Sequence, residues 1–204
     1  MGSVGLLYVG AVLFLNGTSL LGWTKGNSNA PLNIFVGLLQ VVTPFFLIFT
    51  SNGDPAAILG ASGLFLFGFT YLYVAMTGLL KLDGSGLGWF CGYVALAALV
   101  YTGLGLRDGG AGGLLNAALW IQWAFLWFLF WLLLARGKGS LGRYTGAVCL
   151  TQGIITAMIP SFIMLAQPDL LTETLAIAIV VVGVVLDVLY WFVVKPAPAE
   201  VAAA

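Results

Sequence analysis

Seven apolar stretches, separated only by short polar breaks, decide what this chain can become. They run over about Val4–Leu21, Pro31–Thr50, Ala56–Leu80, Gly86–Leu106, Gly113–Ala135, Leu141–Ala166 and Leu170–Val194. A helix needs roughly 17–25 apolar residues to cross a bilayer, and each stretch meets that length. The breaks collect turn-forming and charged residues, as in Ser51-Asn52-Gly53-Asp54-Pro55 and Lys81-Leu82-Asp83-Gly84-Ser85. Composition agrees: 61% of residues are hydrophobic and only 7% charged, against about 25% charged in soluble domains. A bilayer removes the need for a charged surface and requires every crossing backbone to satisfy its own hydrogen bonds. The expectation is an all-α membrane protein.

Orientation follows from the basic residues. With the N-terminus outside, Lys25, Lys81, Arg136, Lys138, Arg143 and Lys195 fall on the cytoplasmic side and only Arg107 falls outside. That bias obeys the positive-inside rule and requires an odd number of crossings. The expected location is a bacterial inner membrane, with the C-terminus in the cytoplasm. No basic region precedes the first apolar stretch, so no cleaved signal peptide is expected. The Pro- and Ala-rich tail, residues 195–204, is expected to lack order. Zero net charge gives no reason to expect nucleic acid. The chain has no histidine, and it shows no metal-ligand cluster and no nucleophile–base pair, so neither an enzyme nor a cofactor is expected. Cys91 and Cys149 lie in apolar runs and read as small buried hydrophobes.

Several residues inside the spans need a reason to be there. In the fifth span, Trp120, Trp123, Trp127 and Trp131 fall on one helical face, and Asn116 extends it. An interfacial belt places tryptophans at the ends of a span, whereas these cross the middle. They read either as packing or as flat, weakly polar walls of a passage. Leu6, Val9, Leu13 and Asn16 form a one-sided stripe in the first span, and Phe67 and Tyr71 form one in the third. Gln40 and Thr43 precede Pro44, much as Thr151, Gln152 and Thr156 precede Pro160. The threonines read best as interhelical hydrogen-bond partners. Gln152 carries two donors and a carbonyl acceptor, so it can pair with an amide guest. Asp187 is the one acid well inside a span. It reads as a functional site or as a side chain snorkelling toward the cytoplasmic interface.

These residues also carry a resemblance. Leu6-Leu7-Tyr8-Val9-Gly10 through Asn16-Gly17, Asn33-Ile34-Phe35-Val36-Gly37 and Leu66-Phe67-Gly68-Phe69-Thr70-Tyr71-Leu72-Tyr73 resemble the AmiS/UreI family. So do the Trp120, Trp123, Trp127 spacing and Gly153-Ile154-Ile155-Thr156-Ala157 with Ile159-Pro160. That family comprises acid-gated urea channels and amidase-associated transporters. The resemblance implies a six-helix pore-forming bundle per protomer over residues 1–166, built from helical hairpins and assembled as a homo-oligomer, commonly a hexameric ring. Residues 167–194 add a seventh transmembrane helix. The implied pore-lining residues are Leu6, Val9, Leu13, Asn16, Phe67, Tyr71, Trp120, Trp123, Leu126, Trp127 and Gln152. The implied partners are urea or a short-chain amide, and membrane lipid.

Three departures shape the expectation. Gln152 stands where the family has a pore glutamate, the outer loops are short and free of histidine, and the seventh span exceeds the family pattern. The expected function is a passive channel for urea or short aliphatic amides without an acid gate. The alternative is a proton-coupled transporter that uses Asp187.

Overall fold

The computed structural model describes residues 2–194; the expected tail lies outside them. Among the described residues, seven helical crossings are long and apolar enough to span a membrane. They are α1 (Gly2–Leu20), α2 (Ala30–Phe49), α3 (Pro55–Leu80), α4 (Ser85–Asp108), α5 (Gly110–Leu134), a composite sixth crossing, and α8 (Glu173–Val193). The sixth crossing consists of α6 (Gly142–Gln152), a π-helical turn (Gly153–Met158) and α7 (Ile159–Ala166).

Local chemistry sets the boundaries. Asp54 caps α3, its carboxylate accepting the Ala56 and Ala57 amides at 3.2 Å each, and Pro55 follows at the first helical position. The α4–α5 turn needs Gly109 and Gly110, whose φ angles of 64° and 62° suit residues without a Cβ. At the entry to α4, the Asp83 carboxylate accepts the Ser85 amide at 3.0 Å and the Ser85 hydroxyl. These bonds hold the Asp83 carboxyl below the usual carboxylate range.

Short connections favour consecutive helices as antiparallel neighbours. That holds well for α2 with α3 and for α4 with α5. The third close pairing joins the first and sixth crossings instead, with α1 lying along α6 and the π turn. Glycines permit it. A Cβ on Gly17 would stand 2.6 Å from the Leu150 nitrogen, and one on Gly153 would stand 2.8 Å from the Gly10 carbonyl oxygen. Close backbone approach through small residues is how membrane helices gain packing where the lipid competes for apolar contact.

The π turn was not expected, and two local causes meet there. Pro160 lacks an N–H and its ring crowds the carbonyl four residues back. The Thr156 hydroxyl donates to the Gln152 carbonyl at 2.5 Å, competing with the helical ladder. The Ile159 amide then reaches Ile154 O, five residues back. Such turns recur at functional positions.

The helix α8 packs against α5 and α6. Asp187 does not snorkel: it is only 9% exposed. Its backbone carbonyl accepts the Tyr144 hydroxyl of α6 at 3.2 Å. Outside this contact, α4, α5 and α8 border an apolar groove of about 1060 Å³, lined among others by Trp89, Phe125, Phe128, Trp131 and Trp191.

Candidate functional site

One cavity of about 200 Å³ penetrates the bundle between α1, α3, α4 and α5. Its mouth lies among helix ends: Leu20 closes α1, Asn29 precedes α2, Thr77 is in the last turn of α3 and Leu134 ends α5. The loops at that end carry Lys25, Lys81, Arg136 and Lys138. Inward, the cavity is lined by Leu13, Asn16, Thr70, Tyr71, Leu126 and Trp127. No charged side chain lines it.

Beyond Trp127 the way is filled by rings. Phe67 meets Trp123 and Trp127 edge-on, at centroid distances of 4.8 Å each and interplanar angles of 83° and 85°. Trp120 packs edge-on to Trp123 at 5.2 Å and stacks on Tyr101 at 4.4 Å. Edge-to-face contacts of this kind add about 0.5–1.5 kcal/mol each beyond burial. Gly63 makes room for Trp120, since a Cβ there would lie 2.9 Å from its ring. The rings extend from the cavity floor toward the opposite end of the bundle, where Ser62 and Tyr101 share a 2.7 Å hydrogen bond.

Polar side chains fix the rings in place. The Trp127 indole donates to Thr70 Oγ1 at 3.3 Å, Trp123 to Thr156 Oγ1 at 2.9 Å, and Trp120 to Asn116 Oδ1 at 3.1 Å. At the cavity wall, Asn16 and Asn33 exchange amide hydrogen bonds of 3.0 and 2.7 Å, and Asn29 donates to Asn16 at 2.9 Å. The buried polar atoms left unpaired include the Tyr71 hydroxyl, the Thr77 hydroxyl and both ends of the Gln152 amide. Leaving such atoms unmatched in an apolar interior costs about 1–3 kcal/mol each.

The structure therefore sorts the expected pore residues into groups. Leu13, Asn16, Tyr71, Leu126 and Trp127 line the cavity. Phe67, Trp120 and Trp123 form the ring cluster behind it. Val9 is buried in the core with Leu6 packed against it. Neither of these two borders the cavity, nor does Gln152, which is fully buried on the sixth crossing. Sequence reading missed Asn29 and Thr70, which line the cavity, and the Asn33 partner of Asn16. Asn33 had a signal, since a second amide inside an apolar span needs a partner. Thr70 had none beyond its place one residue before Tyr71.

Comparison with known proteins identifies the lineage. The AmiS/UreI family transporter profile matches residues 1–168. The chain belongs to this family. A Mycolicibacterium smegmatis relative, named "Putative amidate substrates transporter protein", is 48% identical over 81% of this chain and 77% of its own length. The "Acid-activated urea channel" of Helicobacter pylori is 31% identical over 79% of this chain and 96% of its own length. The cryo-EM structure of the Helicobacter pylori urea channel in a closed state aligns with a TM-score of 0.76 at 30% identity, covering 82% of this chain and 99% of that one. The crystal structure of the urea channel from that organism aligns with a TM-score of 0.69 at 32% identity, with the same coverage. The AmiS/UreI match stops before α8, which begins at Glu173.

Proposed function

We propose that this family member is a passive channel for urea or short aliphatic amides, here in an occluded state. The cavity that reaches Tyr71 and Trp127, with Phe67 and Trp123 packed behind them, carries this reading. A space of about 200 Å³ falls below the roughly 300–1,000 Å³ of drug-sized sites, so the solute is small. A hydrated ion would have to shed water there with no charged ligand in return. A flat neutral solute can slide between ring faces and trade hydrogen bonds with Asn16, Thr70 and the Tyr71 hydroxyl. Each exchange is worth about 0.5–1.5 kcal/mol net, weak enough to release the solute. The likeness to the closed-state urea channel supports the occluded assignment, and the amidate name of the Mycolicibacterium relative supports amides among the substrates.

The proposal places the cavity mouth on the cytoplasmic side, where Lys25, Lys81, Arg136, Lys138 and Arg143 gather, in a bacterial inner membrane. Assembly as a homo-oligomeric ring belongs to the same proposal. Exposed apolar faces such as Phe35, Phe45 and Phe46 on α2 and Tyr93, Leu96 and Val100 on α4 support it, since they need lipid or a neighbouring protomer. No acid gate is assigned to the outer loops. Asp54 is engaged as the α3 cap, and Asp108 pairs with Arg107 at 2.9 Å.

Stopped-flow permeability of reconstituted vesicles tests the reading. Trp123→Ala and Trp127→Ala are expected to change the amide flux or its size selectivity severalfold while the protein elutes as wild type. Asp54→Asn with Asp108→Asn is expected to leave flux unaltered at pH 5 and at pH 7.5 alike. Unchanged transport in both tryptophan variants would return the rings to a packing role.

A further inference from the structure

The helix beyond the family match leaves a slot on the outside of the bundle. Both α4 and α8 pack on α5, and the apolar groove of about 1060 Å³ lies between them. Ala95 and Ala124, both buried, form its floor. Exposed side chains such as Leu96, Phe128 and Val188 form its walls. Its inner end closes where Gln122 crosses from α5 to α8. That side chain donates to Ile179 O at 3.2 Å and lies against Gly183, where an added Cβ would stand 2.6 Å from the amide carbon.

The groove runs along α4 from Trp89 to Leu99, along α5 from Trp131 to Ile121 and along α8 from Phe192 to Val180. Those stretches are ten to twelve residue steps long, or about 15–18 Å at the helical rise. The hydrocarbon core of a bilayer is about 30 Å thick, so the groove has the depth of one leaflet. All three stretches lie toward the same end of the bundle: the start of α4 and the ends of α5 and α8. A neighbouring protomer's helix would press along a whole crossing. A half-depth slot, open sideways to the bilayer, fits the acyl chains of a lipid instead. Its volume exceeds the roughly 300–1,000 Å³ of drug-sized sites.

The mouth of the groove is aromatic and basic. Trp89 packs edge-on to Trp131 at 5.9 Å, and Trp191 packs edge-on to Tyr144 at 5.4 Å; such rings favour the headgroup level. The Arg136 guanidinium lies 5.8 Å from the centre of the Trp131 ring. The chain then turns at Gly137, with φ of 62°, and Lys138 N donates to Leu132 O at 3.0 Å. This turn holds the backbone of both cations at the end of α5. Among the described residues, neither Arg136 nor Lys138 is ion-paired to a carboxylate. Asp187 borders the groove but is only 9% exposed, so the charge presented at the mouth is positive. We propose that the groove is a binding site for one anionic phospholipid. Its acyl chains lie between α4 and α8, and its phosphate meets Arg136 and Lys138. Basic clusters beside crevices between membrane helices suit such headgroups. The bound lipid covers the seam of α5 and α8 and so ties the added helix to the bundle.

Native mass spectrometry tests this on the full chain, extracted from vesicles of phosphatidylglycerol and phosphatidylcholine with identical acyl chains. One phosphatidylglycerol is expected to stay with each chain, favoured over phosphatidylcholine by about fivefold or more, the worth of one basic side chain near an anionic surface. Arg136→Gln with Lys138→Gln, both at exposed positions, is expected to bring the two lipids to equal retention. Leu96→Trp, which fills the groove from an exposed position, is expected to lower retention of both severalfold; Val184→Trp fills it from α8 if Leu96→Trp does not fold. Equal retention of the two lipids by the wild type, a preference that survives in the double variant, or undiminished retention in a filled groove overturns the inference. A wild type that keeps no lipid, and whose oligomer falls apart on Leu96→Trp, also overturns it and gives the groove to a neighbouring protomer.

Discussion

Single side chains at the centre of the bundle do two jobs at once. Thr156 accepts the Trp123 indole proton at 2.9 Å and donates to the Gln152 carbonyl at 2.5 Å. It thereby joins a ring of the central cluster to the π turn. Thr156→Val keeps the shape and removes both bonds, leaving the buried indole N–H without its partner. The expected cost is about 1–3 kcal/mol, visible as a lower melting temperature in detergent; an unshifted melt would show that the bond carries nothing. At this scale the sequence was partly legible. The helical spacing of Trp120, Trp123 and Trp127 put them on one face before any coordinates, and Asn16 stood out as an amide in an apolar run. The partners of these groups were not legible. Thr156, Thr70 and Asn33 lie on other helices, and no periodicity within one segment reports which residue of another it will meet.

The helices show where local pattern succeeds and where it stops. Hydropathy located the seven crossings because bilayer thickness imposes a length on each. It could not reveal that α1 pairs with the sixth crossing, since that contact joins segments more than a hundred residues apart, as the Cys149-to-Leu13 bond does. The glycines that allow it, Gly10 and Gly17 on α1 with Gly146 and Gly153 opposite, are each seven residues apart, so each pair shares a face. Gly17→Leu should therefore be far more disruptive than Gly2→Leu, where no atom stands within 4 Å of an added Cβ. The expected readout is loss of a monodisperse folded protein for Gly17→Leu alone. Equal behaviour of the two variants would contradict the close crossing. The π turn was equally hidden: Pro160 announced a break, but a wide turn upstream of it depends on Thr156 competing for the Gln152 carbonyl.

For the molecule as a whole, the bundle is a cup closed at one end. A cavity without charged walls opens among basic loops and reaches Tyr71 and Trp127, behind which Phe67 stands edge-on to two tryptophans. The helix α8 fastens onto the outside of α5 and α6, accepting bonds from Gln122 and Tyr144. The measurement that bears most directly on this account is entry of labelled acetamide and urea into proteoliposomes made without any ion gradient. The account predicts entry faster than into protein-free vesicles, levelling off where inside and outside concentrations match, with or without an imposed proton gradient. Entry no faster than into protein-free vesicles, or accumulation above the outside concentration when a proton gradient is applied, would contradict it.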